Sequence, residues 1–554
     1  MARAVWAGLL VAGSLSTLVA LSLPPRARHV AGPTRSTAVV VPGAFHVHTS
    51  RSDGAGSIDD VARAAARAGL GFVVVTDHGD GTRPAAPPWY RSGVLIIDGV
   101  EISTTGGHYA VAGMAAAPYP LSGEARDVVD DVRRLGGIGV VAHGASQKPE
   151  LQWDDWSTPF DGLEWLNFDS EWRGRSRVQL ARALAGYFIR GPETLASLMA
   201  RPAETLRRWD DAASHRHVFA ISASDAHGGL PAYDDCFRTA TTRVELAAPL
   251  GGDAEVDAAS ILTALGSGHH YTVVDAAAIP GTFSFVGRQG NQVARQGDTL
   301  AEGEPLALEI HADLPPGARI VLLRDGVVVS ESRQRHLLYQ AAGDRSGYRV
   351  EVRLQRDDDA SVPWIVSNPI YVGGRAAIGP ATDAPIGAAT EVMVPGDSVR
   401  RWTTERDRSS GAAFEHAGAG GARQLVFKYS LGPGLPAGQF AALVGAIPSG
   451  ALSRFDRLTF TASADRPLRM AVEFRPAGTD NPPRWMRSIR LDRISRAVTI
   501  VFDDMRATPG SATTRLPLNA IDALMFVIDT NNTSPGTRGE IRFSRIALAA
   551  KRAG

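Results

Sequence analysis

Six histidines and three carboxylates stand at or just after the ends of apolar, strand-like runs. Ala44-Phe45-His46-Val47-His48 ends in a His-x-His pair, and Asp53 follows in Ser52-Asp53-Gly54. Val73-Val74-Val75-Thr76 runs into Asp77-His78, and Leu95-Ile96-Ile97 leads on to Glu101. His108 comes next; Val140-Val141-Ala142 leads into His143, and Ile221-Ser222-Ala223-Ser224 into Asp225-Ala226-His227. Imidazole and carboxylate are ligands of borderline and hard divalent cations. Nine such residues exceed the needs of one tetrahedral ion, so two or three ions sharing ligands are expected. The mixed donor set accepts Zn, Mn or Fe.

The elements that must position these groups alternate in type. Ser57-Ile58-Asp59-Asp60 reads as a capping box at the start of a helix that Gly69 stops. Val73 to Thr76 is the following strand. Further helices are expected over Arg126–Leu135, Val178–Ala185 and Pro192–Ala213, the last broken at Pro202. Strand, helix, strand order argues for parallel pairing in an α/β domain. In a β/α barrel the strand ends converge on one face, where residues far apart in sequence share a site.

Beyond about residue 280 the pattern becomes all-β. Leu306–Ile310, Arg319–Leu323, a turn at Asp325-Gly326, Val327–Val329, Tyr348–Val352 and Ile370–Val372 suggest an immunoglobulin-like sandwich. Arg457–Thr461, Met470–Phe474, Ala497–Phe502 and Leu524–Ile528 suggest a larger sandwich or jelly roll. The expected layout is multidomain α/β plus all-β. It has a leader at 1–25, a linker at 26–42, the metal-binding domain at 43–278, the Ig-like sandwich at 279–374, a linker at 375–392 and a C-terminal sandwich at 393–554.

The 554 residues carry 58 Lys+Arg against 58 Asp+Glu, so no net field attracts nucleic acid or an anionic membrane. Ala4 to Leu23 is an apolar run behind Arg3 and ahead of Pro24-Pro25, which reads as a secretory signal or an uncleaved anchor. It reaches the roughly 20 residues that span a bilayer. Export to a periplasmic or extracellular site is expected, with membrane contact through this segment if it is retained. Cys236 is the one cysteine, so an intrachain disulfide is impossible, and its expected role is that of a buried small hydrophobe.

Taken in order, Phe45–Thr49, Ser52–Gly54, Thr76–His78, Gly99–Glu101, His108, Ala142–Gly144 and Ser224–His227 resemble the PHP (polymerase and histidinol phosphatase) superfamily of metal-dependent phosphoesterases. The leader and β-rich segments look like its exported, carbaryl-hydrolase-like branch. The resemblance implies a distorted seven-stranded β/α barrel with up to three metals. His46, His48, Glu101 and Asp225 would hold one; Glu101, His108 and His143 a second; Asp53, His78 and His227 the third. Asp77 is expected to orient a ligand histidine or to shuttle a proton. Many relatives have proline where this chain has Gly144.

The expected activity is a phosphoesterase in which a hydroxide shared by two ions attacks a small phosphate ester or nucleotide. Arg173, Arg175 and Arg238 are candidate phosphate clamps. One alternative is hydrolysis of carbamates or carboxylic esters on the same centre. The other is an envelope or glycan-binding protein with an inactive barrel, with Trp402 and Trp485 as sugar-stacking platforms. His215, His217, His269 and His270 match no ligand motif.

Overall fold

The computed structural model describes residues 23–30, 39–144, 146–354, 361–375, 389–394, 402–418, 424–434, 438–476, 483–508 and 513–550. The expected leader up to residue 22 and most of the expected 375–392 linker lie outside the described residues. Two compact units emerge. The first comprises residues up to Gly79, Pro84–Ala115 and Val132–Ile378; the second comprises Asp80–Arg83, Ala116–Asp131 and the chain from Gly379.

The first unit is built on a closed ring of seven strands: β1 (Val39–Val47), β2 (Phe72–Val75), β3 (Val94–Thr104), β4 (Gly107–Ala112), β5 (Ile138–Val141), β6 (Gly162–Asn167) and β7 (Phe219–Ala226). β1–β2, β2–β3, β5–β6, β6–β7 and β7–β1 pair in parallel. β4 runs antiparallel to both β3 and β5. The β/α alternation expected from the resemblance is therefore incomplete: β3 and β4 form a hairpin with no helix between them. Strand direction is not encoded in apolar periodicity, so the sequence pattern did not reveal it.

Helix α1 (Ile58–Ala68) joins β1 to β2 and starts as expected, with Ser57 accepting from Asp60 N–H and Asp60 accepting from Ser57 N–H; Gly69 closes it at φ 77°. Four helices lie between β6 and β7: α2 (Phe168–Arg173), α3 (Arg177–Tyr187), α4 (Gly191–Ser197) and α5 (Ala203–His215). Pro202 separates the last two, as expected. α6 (Tyr233–Thr239) and α7 (Ala254–Gly266) follow β7. Phe45, Phe72, Val74, Ile97, Val140 and Ile221 belong to a fully packed core. Each such side chain contributes roughly 1.5–3 kcal/mol by leaving water.

The ring's wall continues into the next β region. Thr241–Leu246 pairs with β1, His270–Val273 pairs with that strand, and Ile365–Ser367 pairs in turn with His270–Val273. The expected Ig-like segment thus shares a continuous sheet with the barrel. Its other face is a four-stranded sheet containing Phe283–Gln289 and Leu306–Ala312. Within the expected 26–42 linker, Arg28–His29 pairs with Ala278–Ile279, and β1 begins at Val39.

The second unit carries two six-stranded antiparallel sheets. Trp402 and Trp485 are buried in the core between them, 4% and 2% exposed, so neither is available as a stacking platform. This unit also takes in residues 116–131. Arg469, 6% exposed, lies 3.2 Å from Asp127 and 2.6 Å from Asp131; Arg487 meets Glu124 at 2.7 Å.

Candidate metal centre

All nine ligand candidates gather where the ring strands end. His46 and His48 close β1, Glu101 lies late in β3, His108 opens β4, His143 follows β5, and Asp225 and His227 sit at the end of β7. Glu101 is central. Its Oε2 lies 3.3 Å from Nε2 of both His46 and His48 and 3.2 Å from His78 Nδ1. Its Oε1 lies 2.8 Å from His108 Nδ1 and 3.0 Å from His143 Nε2. One carboxylate thus faces two histidine clusters. On the outer side Asp53 Oδ2 is 3.4 Å from His78 Nε2 and 3.2 Å from His227 Nε2.

The inner group gathers ligand atoms suited to a divalent ion. His46 Nε2 and His48 Nε2 are 3.0 Å apart, and each lies 3.3–3.4 Å from Asp225 Oδ1 and 3.3 Å from Glu101 Oε2. His46, His48 and Glu101 offer three mutually close ligand atoms, and His46, His143 and Asp225 a neighbouring set. Glu101 Oε2, Asp225 Oδ1 and His143 Nδ1 are buried and lack a hydrogen-bond partner. Leaving such atoms unpaired costs about 1–3 kcal/mol each, more when charged, and a cation would satisfy them.

Backbone strain marks the same residues. Among the described residues five non-glycines have positive φ, and three are His46 (65°), His143 (54°) and Asp225 (45°). Such conformations cost of order 1–3 kcal/mol and persist only where the surroundings impose them. Gly54 has a simpler reason to be glycine: a Cβ there would stand 2.5 Å from the carbonyl oxygen of His48.

Burial opposes charge on His46, yet the carboxylates of Asp225, Glu164 and Glu101 hold its pKa well above the ordinary imidazole value. Burial opposes charge on His48 too, but the carboxylates of Asp225, Asp53 and Glu101 beside it raise it to about 11. His143, also against burial, is raised to about 9, chiefly by Asp225 and Glu101. For Glu101 and Asp225 burial favours the neutral acid, and the neighbouring histidines overcome it and hold both well below the usual carboxylate range. A metal entering this cluster must displace protons, so acid weakens its binding.

Several contributors carry no motif. Glu164, in the fully buried β6, has Oε1 2.5 Å from His46 Nδ1, while its Oε2 accepts from the His143 backbone N–H at 3.0 Å and from Asn167 Nδ2 at 2.8 Å. Asn167 Nδ2 also reaches Asp225 Oδ2 at 3.2 Å. A carboxylate inside an otherwise apolar strand was the available signal for Glu164. Asp77 corrects the expectation placed on it. It accepts from Thr49 N–H and Oγ1 and from Ser52 Oγ, each at 2.7 Å, and from Arg51 Nε at 3.0 Å, so it fixes the loop carrying Asp53 and bonds to no histidine.

The arginines divide. Arg173 pairs with Asp169 and lines a cavity of about 270 Å³ beside Asp53, Asp225 and His227. Most of its remaining wall is apolar, from Phe168, Trp172, Leu195, Leu198, Met199 and Leu230. Arg175 pairs with Glu171 and is not part of this lining; Arg238 donates to the carbonyl of Arg67 on the surface.

No family model and no curated protein matches the chain. Among solved structures, a two-domain protein containing a predicted PHP-like metal-dependent phosphoesterase from Bacteroides vulgatus aligns at 14% identity and a TM-score of 0.32, over 62% of this chain and 99% of its own. A family 11 carbohydrate-binding module from Clostridium thermocellum aligns at 15% identity and a TM-score of 0.24, over 29% of this chain and 95% of its own. Likenesses this distant carry no functional argument, which rests on the site itself.

Proposed function

We propose that this chain is an exported metal-dependent hydrolase of the PHP type, acting on a small phosphate ester that bears a compact apolar group. The observation that carries the reading is Glu101, whose two oxygens face separate histidine clusters within 3.3 Å. His46, His48, Glu101 and Asp225 would hold one divalent ion, Glu101, His108 and His143 a second, and Asp53, His78 and His227 a third. Bound divalent ions supply Lewis acidity and acidify water near neutral pH.

The chain's own residues do the positioning. Glu164 fixes the ring of His46 and the backbone of His143, and Asn167 ties Glu164 to Asp225. Asp77 holds the Thr49–Ser52 turn so that Asp53 faces His78 and His227. Arg173 is the cavity's cation, already neutralised by Asp169. One paired arginine beside four carboxylates suits a singly charged diester better than a dianionic monoester. The apolar wall supports a second reading, hydrolysis of carbamates or carboxylic esters. Export rests on the apolar run Ala4–Leu23.

Turnover of bis-p-nitrophenyl phosphate, p-nitrophenyl phosphate and an aryl carbamate by one metal-loaded sample tests the choice. Preference for the diester supports the proposal, and turnover of the carbamate alone replaces it with the second reading. Leu198→Arg is expected to lower kcat/KM for the aryl diester more than for dimethyl phosphate.

A further inference from the structure

Helix α3 is exposed almost all round, with Gly186 its one buried residue. Large apolar side chains occupy that exposed surface: Val178, Leu184, Phe188 and Ile189 are 62%, 51%, 77% and 58% exposed. At 100° per residue Val178, Leu184 and the alanines at 181 and 185 share one stripe, which Phe188 and Ile189 continue just past the helix end, while Leu180, Ala183 and Tyr187 turn toward the protein and are half-buried. Four exposed large hydrophobics within twelve residues are unusual on a soluble surface. The helix has no acidic residue; the exposed Arg177 lies within the stripe at the helix's first residue, and the exposed Arg182 lies along its edge.

The chain's own path gives this face its partner. The described chain begins at Leu23-Pro24, against the end of α3: Arg190 donates to the Pro24 carbonyl, and a Cβ on Gly186 would lie 3.5 Å from the Leu23 side chain. Ahead of that point the sequence holds the apolar run Ala4–Leu23, long enough to span a bilayer. Arg26 is exposed directly after it. A cleft of about 800 Å³ combines Phe188 and Ile189 with Arg26, Arg190, Arg238 and Arg243; of its carboxylates, Asp275 pairs with Arg243, Asp235 accepts from Tyr187 Oη, and Glu193 is the third. An apolar stripe rimmed by arginines, placed where an apolar segment joins the body, has the chemistry of an interfacial helix on anionic lipid.

We infer that the outward face of α3, with Phe188 and Ile189 at its tip, lies on an anionic lipid bilayer. This docking is independent of the chemistry at the metal centre. Tyr187, on the inward face of α3, accepts from Ala232 N–H, two residues after Leu230, which is 59% exposed and part of the metal-site cavity wall.

The test uses the full chain reconstituted into phosphatidylglycerol-containing nanodiscs. A nitrobenzoxadiazole label is placed at Phe188→Cys, with Val256→Cys, at a similarly exposed position on α7, as the control. Cys236 is buried and leaves the introduced thiol as the accessible one. Docking predicts several-fold stronger quenching by doxyl lipids at 188 than at 256, together with protection from iodide at 188. Equal lipid quenching at both positions would overturn the inference. So would protection from iodide at 188 without lipid quenching, which would mean that protein covers the stripe.

Discussion

Glu164 Oε1 lies 2.5 Å from His46 Nδ1, on the side of the imidazole away from the candidate metal ligand atom Nε2. A carboxylate behind a ligating histidine fixes its tautomer and raises its basicity. Glu164→Gln is expected to leave the fold intact and weaken metal binding about 10- to 100-fold. Competition titration with a chromophoric chelator measures this. Unchanged affinity would remove Glu164 from the site's design.

Removing metal should destabilise the first unit. Three buried atoms without a hydrogen bond and three left-handed non-glycine residues cluster at the ligands, and a cation bound only by the folded chain offsets that cost. Thermal unfolding with and without chelator is expected to show a lower midpoint for the stripped protein. Identical midpoints would contradict a cluster that contributes to folding.

His46, His48, Asp53, His78, Glu101, His143, Asp225 and His227 were legible because each belongs to a short motif beside an apolar run, and such runs end on one face of a barrel. Glu164 and Asn167 were not, because His46, His143 and Asp225 come from other strands of the ring, distant in sequence, and no local spacing encodes those contacts. The antiparallel course of β4 was hidden for a related reason: alternation reports burial and not direction. Nor did the sequence show that residues 116–131 pack with the second unit, since Arg469 finds Asp127 and Asp131 from more than 300 positions away.

Arg469 offers a separate check on that packing. With Asp127 and Asp131 buried beside it, Arg469→Met removes one guanidinium from a cluster that keeps only Arg487, 3.4 Å from Asp127, and is expected to destabilise the second unit by up to about 3–5 kcal/mol. The triple change Arg469→Met, Asp127→Leu, Asp131→Leu should recover most of the loss. Denaturant midpoints for the two variants decide it; equal loss in both would mean that packing, not charge, is at stake.

His270 sets a pH dependence. Burial pushes its imidazole down to about 3, against an ordinary value of 6.5. Above pH 6.5 it is neutral folded or unfolded and has no effect. Between pH 6.5 and about 3 the unfolded chain alone binds the proton, so stability falls by about 1.4 kcal/mol per pH unit. His270→Gln should flatten this slope. The difference in unfolding free energy between variant and parent, followed from pH 7 to 5, reads the effect; parallel curves would refute it.

Elemental analysis of the purified, metal-replete protein beside its Glu101→Gln variant bears most directly on the metal centre. The account predicts two or three divalent ions per chain in the parent, and loss of more than one in the variant, because Glu101 serves both histidine clusters. A parent that holds no metal would contradict the centre itself. A variant that loses a single ion would contradict the bridging role of Glu101.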